Sequence, residues 1–134
     1  MIENFKAQNN PRVIVIQKLY SYNLNKESEI TYSKHKYKKF IKDVVKGTIE
    51  RNDLIDEIIE TELKKYINQY KTELILKLII KAAIFEFMFM HKVPIKVVIS
   101  EYLKVSDYFI ESSKKSFLNA ILDKISKSSR FKEA

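Results

Sequence analysis

The 134-residue sequence contains no cysteine, no tryptophan, a single glycine and two prolines. Without cysteine there is no disulfide framework, no thiolate zinc site and no cysteine nucleophile. β-Sandwiches, β-barrels and nucleotide-binding α/β folds need glycine in tight turns and where the backbone approaches a phosphate, so they are hard to build with Gly47 alone. P-loop, dinucleotide-binding and GxSxG motifs are excluded for the same reason. An all-α fold remains.

Long apolar runs are absent as well. The longest runs without charge, such as 19–25 and 116–122, are far shorter than the roughly 20 apolar residues that span a bilayer. Residues 1–10 lack the apolar stretch of a signal peptide. We therefore expect a soluble, cytoplasmic protein. The length predicts one domain, since domains commonly contain about 100–150 residues.

The charge is basic and unevenly distributed. The formal net charge is +8, made up of +6 in residues 1–46, −1 in residues 47–103 and +3 in residues 104–134. Two basic ends around a neutral middle are typical of a surface that binds a polyanion, because each neutralised phosphate releases counterions. The charge alone is equally compatible with a solvated lysine surface that binds nothing.

Apolar residues at helical spacing predict about six to seven helices. The first begins at Asn10 and Pro11, a capping residue followed by proline at the first helical position, and runs to about Leu24. The next three cover about 32–51, 53–68 and 72–91, the fifth begins at Pro94 and the sixth follows a cap at 112–113. We expect a flexible arm (1–10), one helical domain (11–126) and a polar tail (127–134).

Two features of this pattern predict packing. The segment 72–91 is apolar nearly all round, so it must be covered on most sides as a central helix. Gly47 lies inside the second predicted helix, where glycine costs about 1 kcal/mol relative to alanine. We therefore expect a close helix crossing at Gly47. Glu86 stands within the apolar segment and should find a lysine, hydroxyl or backbone partner.

No catalytic or metal-binding pattern is found. His35 and His91 lie beside lysines near predicted helix ends and lack the spacing of metal ligands. The acidic residues between Asp53 and Glu60 are more simply the solvated, N-terminal face of the third helix, where carboxylates favour the helix dipole, than a cation site. We expect neither an enzyme nor a bound cofactor or metal.

Five motifs in chain order resemble those of the NusB family of bacterial transcription antitermination factors. Residues 17–22 are similar to the family's QxLY motif in the first helix, and residues 40–47, followed by 55–56, to FxxxLVxG and LD. Further along the chain, residues 80–87 are similar to LRxAxYEL, 93–101 to VPxKVAINE and 117–124 to FVNGVLDK. Most of these positions serve packing, so the match indicates fold more strongly than function.

The resemblance implies a fold of two small helical subdomains around a central helix. It also implies a function: binding the boxA segment of nascent single-stranded RNA together with the ribosomal protein NusE, within an RNA polymerase antitermination complex on ribosomal RNA operons. The residues that the resemblance and the local chemistry assign to RNA binding are Lys6, Arg12, Lys81, Lys114, Lys115 and Phe117. Arg12 is the first candidate, because it stands beside a helix N-terminus that also favours phosphate.

The resemblance assigns partner binding to Tyr20, Leu24 and Leu76. Leu76 replaces the acidic residue that the family presents to NusE, and Lys81 replaces an arginine, which keeps the charge but loses the bidentate fork. These departures leave an alternative: a protein-interaction module or homodimer of the same fold with weakened RNA binding. In that alternative, an exposed Leu76 enlarges an apolar patch with Tyr20 and Leu24.

Overall fold

The computed structural model describes residues 9–67 and 72–128. Its elements are α1 (Pro11–Leu24), α2 (Lys38–Glu50), α3 (Asn52–Glu62), α4 (Leu74–Phe89), α5 (Ile95–Ser106), a 3-10 helix (Ser112–Lys114) and α6 (Lys115–Ser126). No strand occurs in either described range. The all-α class is confirmed. The division into arm, domain and tail stays a prediction, and residues 1–8 and 129–134 lie outside the described ranges.

Helix α1 begins where the cap predicts. The side-chain oxygen of Asn10 accepts hydrogen bonds from the backbone N–H groups of Arg12 (3.0 Å) and Val13 (3.4 Å), and Pro11 occupies the first position. The β-branched run that follows is helical, because the buried side chains of Val13, Val15 and Ile16 pack into the core. Tertiary burial therefore outweighs the strand propensity of this segment.

Helix α4 is the centre of the molecule, as its composition predicts. It contacts α1, α2, α3, α5 and α6. Ten of its sixteen residues are buried, nine of them apolar or alanine and the tenth Glu86. Helix α4 therefore contacts every other α-helix in the described ranges.

Gly47 marks the predicted close crossing between α2 and α4. A Cβ atom built on Gly47 would overlap Cε1 and Cζ of the Phe85 ring. The ring is itself buried and packs against Phe89, with 5.2 Å between the ring centroids. The glycine is therefore needed for space, since its backbone has no positive φ.

Two predicted helix ends are wrong. Helix α2 begins at Lys38 instead of about Tyr32: the N–H of Tyr37 donates to Nδ1 of His35 and the N–H of Lys38 to the carbonyl of His35, so this part of the chain forms a turn before the helix. Helix α3 ends at Glu62 instead of 68: the N–H groups of Tyr66 and Ile67 both turn back to the carbonyl of Leu63. Among the described residues, no helix is long and apolar enough to span a membrane.

Candidate nucleic-acid interface

A buried ion pair links α1 to the central helix. The guanidinium of Arg12 donates from Nε to Oε2 of Glu86 (2.9 Å) and from Nη2 to Oε1 (2.7 Å). The hydroxyl of Tyr102 donates to the same carboxylate at 2.5 Å. Arg12 is 7% exposed, Glu86 1% and Tyr102 fully buried. Phe40 from α2 covers the guanidinium, with its ring centroid 4.7 Å from Cζ. Side chains from four helices, α1, α2, α4 and α5, therefore meet at this ion pair.

The environment of this cluster shifts two pKa values. Burial alone would lower the pKa of Arg12, but the hydrogen bonds and charge of Glu86 outweigh it, so the pKa of Arg12 is raised. Burial, followed by the charge of Glu86, raises the pKa of Tyr102 well above 10.0. The phenol therefore stays protonated and keeps donating to Glu86 at any neutral pH.

The raised pKa of Tyr102 predicts a loss of stability at high pH. In the unfolded chain Tyr102 ionises above pH 10.0 while the folded form remains protonated, so ionisation favours unfolding. As the pH rises above 10.0 this increasingly destabilises the folded state, an effect that a Tyr102→Phe variant lacks. Below pH 10 the variant should be less stable by about 1.5–3 kcal/mol, the usual value of a hydrogen bond to a charged group.

Urea unfolding of both proteins between about pH 8 and about pH 11 measures the effect, because lysine titration is common to the two. The stability gap between wild type and Tyr102→Phe should narrow as the pH rises. A gap that stays constant would mean that Tyr102 ionises as easily in the folded protein as in the unfolded chain.

The position of Arg12 corrects the sequence analysis. We expected its guanidinium to be offered to RNA at the start of α1, but it is enclosed between Glu86, Tyr102 and Phe40. Its Nη1 also lies 4.0 Å from Glu101. Exposing it to RNA would leave the Glu86 carboxylate buried without its cation, so Arg12 is a structural residue.

Lys81 is likewise engaged within the protein. Its Nζ lies 2.9 Å from Oδ1 of Asp56 and donates to Oδ1 of Asn52 at 2.8 Å, so it bridges α4 to α3. The remaining RNA candidates of the described ranges belong to the 3-10 helix and α6. Lys6 lies outside the described residues.

Lys114, Lys115 and Phe117 are brought together at the start of α6. Lys114 donates to Glu73 at 2.6 Å, a hydrogen bond that raises the pKa of Lys114. Lys115 lies 3.1 Å from Oδ1 of Asp107. The Phe117 side chain is 39% exposed, although a phenylalanine at helical spacing is more often in the core. This segment therefore presents one exposed aromatic ring and two lysines. Each of the two lysines pairs with a carboxylate of the chain.

The predicted partner residues separate into two groups. Tyr20 and Leu24 are both exposed and stand four residues apart on the last turns of α1, so they share a face. Leu76, in contrast, is only 4% exposed and belongs to the core. The exposure that we expected for Leu76 is wrong, and with it the apolar patch that motivated the alternative of a homodimer. An apolar side chain at this position is explained by packing.

The partner of Glu86 is the feature that the sequence analysis missed. We expected a lysine, hydroxyl or backbone group: the hydroxyl is confirmed by Tyr102, whereas the cation is an arginine from α1 and not a lysine. A usable signal existed, because arginine is the residue best suited to buried ion pairs. Of the three arginines, only Arg12 is followed by a run of four apolar residues.

Metal binding finds no support in the part of the chain that the structure describes. No group of three or more histidine, aspartate or glutamate side chains in residues 9–67 and 72–128 could hold a metal ion. Two acidic side chains of α3 have other roles: Asp56 pairs with Lys81, and Asp53 lies in the first helical turn.

Comparison with known sequences identifies a family. The model of the NusB family matches residues 9–127 of the chain. A transcription antitermination protein NusB from Thermodesulfovibrio yellowstonii is 29% identical over 121 residues, covering 83% of this chain and 78% of that protein. The protein of the same name from Rhodopseudomonas palustris strain BisB18 is 32% identical over 94 residues, covering 70% of this chain and 56% of the relative.

The alignment covers only part of the length of some relatives. The chain spans a little over half the length of the NusB proteins from two Bradyrhizobium strains, 56% in one and 54% in the other, at 30% identity. Among solved structures, T. maritima NusB has the same fold, with a TM-score of 0.75 at 23% sequence identity over 90% of each chain.

Proposed function

This chain belongs to the NusB family, and from that premise we propose that it is a bacterial transcription antitermination factor. In this proposal it binds boxA-type single-stranded RNA together with the ribosomal protein NusE in the cytoplasm and acts on ribosomal RNA transcription. It catalyses no reaction and needs no cofactor. Its contribution is to hold a short RNA and a protein partner beside the RNA polymerase.

The exposure of Phe117 is the observation that carries the RNA part of the proposal. Sequence-specific RNA recognition relies on unpaired bases that stack on aromatic side chains, and Phe117 presents such a face at the start of α6. Lys114 and Lys115 precede it directly. Their carboxylate partners are exposed groups, and an RNA phosphate can take their place because exposed ion pairs are worth only about 0–1 kcal/mol.

Tyr20 and Leu24 support the protein part of the proposal. Both side chains are exposed large hydrophobic groups on one face of α1, which is the kind of surface that a partner protein covers. They occupy the first-helix positions that the family uses against NusE. Leu76 has no part in this surface because it is buried.

A titration of labelled RNA tests the proposal. A boxA-type RNA should bind more tightly than a scrambled strand of equal length, and addition of NusE should increase its affinity. Phe117→Ala should weaken binding by about 1–3 kcal/mol, roughly 5- to 150-fold, the value of one stacked base. Fluorescence anisotropy at several salt concentrations provides the measurement.

Phe89→Ala is a matched control, since Phe89 is also an exposed phenylalanine, 41% against 39%, but lies at the end of α4. It should leave RNA affinity unchanged. The proposal fails if boxA-type and scrambled RNA bind equally, both with and without NusE. The Phe117 assignment fails if the two alanine variants behave alike.

A further inference from the structure

One segment of the chain, residues 31–46, is rich in lysines that no carboxylate of the described ranges pairs with. Arg12, Lys81, Lys114 and Lys115 each face a carboxylate of the chain. Residues 31–46, in contrast, contain six lysines and one acid, Asp43, which pairs with Lys39 at 2.7 Å. Five lysines of this segment therefore have no carboxylate partner in the described ranges.

Three lysines surround a cleft between α1 and the start of α2, which we call the lysine cleft. It has a volume of about 390 Å³, and Lys18, Lys34 and Lys38 line it together with the polar side chains of Asn9 and Gln17. No carboxylate belongs to the described lining. Lys18 is held over the Tyr32 ring, 5.8 Å from the centroid, which orients its ammonium without neutralising it.

The N-terminus of α2 adds to the positive potential of the lysine cleft. Helix α2 begins at Lys38, and no side chain caps it: the preceding Tyr37 makes no capping hydrogen bond. An uncapped helix N-terminus presents backbone N–H groups and the positive end of the dipole to an anion. The N–H of Lys38 already donates to the carbonyl of His35 at 3.2 Å, so the donors for a phosphate group are the following N–H groups of the first turn and the three lysines.

The cleft continues as a stripe along α2. Lys38, Lys42 and Lys46 follow one another at four-residue spacing, so their side chains share a helix face at a rise of about 6 Å per step. Lys42 and Lys46 line a second, shallower groove together with one carboxylate, Glu50, and Tyr32 belongs to the walls of both. A continuous row of unpaired cations fits a polyanion better than it fits a single small anion.

We propose that the lysine cleft and the lysines of α2 bind the phosphate backbone of the RNA, at a site separate from the base contacts of α6. The choice of RNA as the polyanion rests on the proposed function. Phosphate contacts of this kind position the strand and contribute affinity that is independent of sequence. The base contacts near Phe117 then supply the sequence preference.

A triple variant, Lys18→Gln with Lys34→Gln and Lys38→Gln, tests the cleft. Its affinity for boxA-type and scrambled RNA should fall by a similar factor, roughly tenfold or more, because phosphate contacts do not read bases. The slope of log K against log salt should become shallower by about 2, from about 0.7 per lost contact to a single strand.

The control variant, Lys65→Gln with Lys104→Gln and Lys127→Gln, removes the same charge from three exposed lysines outside α1, α2 and their connection. It should change affinity and slope much less. The inference is overturned if the two triple variants have equal affinities and slopes. Equal binding of boxA-type and scrambled RNA by the wild type would instead overturn the proposed function alone, since the cleft test uses both strands.

NMR on the unmodified chain provides a second measurement that no folding defect can affect. Titration with single-stranded RNA should shift the amide signals of residues 33–38 and of Lys42 and Lys46. Shifts confined to the start of α6, with none in residues 33–46, would overturn the cleft as a phosphate site.

Discussion

Replacing Arg12 by methionine is expected to lower the free energy of unfolding by about 3–5 kcal/mol, the usual cost of leaving one member of a buried ion pair alone. Glu86 is 1% exposed, and the Tyr102 hydroxyl would be the remaining described donor to its carboxylate. Methionine has the length to fill the space beside Phe40 but supplies no charge. Equilibrium unfolding in urea, monitored by circular dichroism, measures the change.

A second substitution identifies the cause of that loss. In Arg12→Met with Glu86→Gln, the uncompensated charge is gone while an amide oxygen can still accept from Tyr102, so part of the stability should return. Lys39→Met removes one partner of an exposed ion pair and should cost less than about 1 kcal/mol. If Arg12→Met costs no more than Lys39→Met, the pair is not the buried link that its geometry indicates.

The same result bears on experiments with RNA. An Arg12 variant that loses RNA binding would not locate the RNA site at the first helix, because it would also lose stability. Substitutions at exposed positions, such as Phe117 or the lysine cleft, separate the two effects. RNA binding by Arg12 variants needs to be compared at equal fractions of folded protein.

Substituting Gly47 by alanine is expected to destabilise the protein by about 2 kcal/mol, although alanine normally stabilises a helix by about 1 kcal/mol relative to glycine. The new methyl group would overlap two atoms of the Phe85 ring, which is buried and cannot move away without displacing its neighbours. Overpacking of a close-packed interior costs about 1–3 kcal/mol, and this overlap lies at the upper end or beyond it. Denaturant unfolding measures the difference.

Phe85→Leu should relieve the overlap. The double variant should therefore cost less than the sum of the two single variants, with a coupling of about 1 kcal/mol or more. Lys46→Ala, at the neighbouring exposed position, should stay within about 0.5 kcal/mol of the wild type. A stabilised Gly47→Ala protein would show that helix propensity outweighs the crossing.

Much of the fold is accessible from the sequence because its signals are local. The Asn10 cap, the apolar stripe of α2 and the uniformly apolar α4 each depend on residues within a few turns. The helix ends at Lys38 and Glu62 are less accessible, since they depend on a balance between dipole, turn hydrogen bonds and packing that differs by only a few tenths of a kcal/mol per residue.

The candidate site is less accessible, because it depends on which face of each helix is covered. In α4 nearly every position is apolar, so its pattern does not reveal that Leu76 is buried in the core. The pair of Lys114 and Glu73 joins residues 41 positions apart, and that of Arg12 and Glu86 residues 74 apart. The sequence alone therefore does not show which charged side chains are already paired with a carboxylate inside the fold.

The cluster of Arg12, Glu86 and Tyr102 also constrains the order in which the protein can assemble during synthesis. Helix α1 is made early, yet the carboxylate that completes its burial lies 74 residues downstream and the phenol lies 16 beyond that. Until α4 and α5 have left the ribosome, the guanidinium keeps its water and α1 cannot dock in its final position. A chain that ends before residue 102 should therefore lack two of the groups that surround Arg12 in the folded protein, the phenol of Tyr102 and the rest of α5 beyond it, even where its Glu86 is already made.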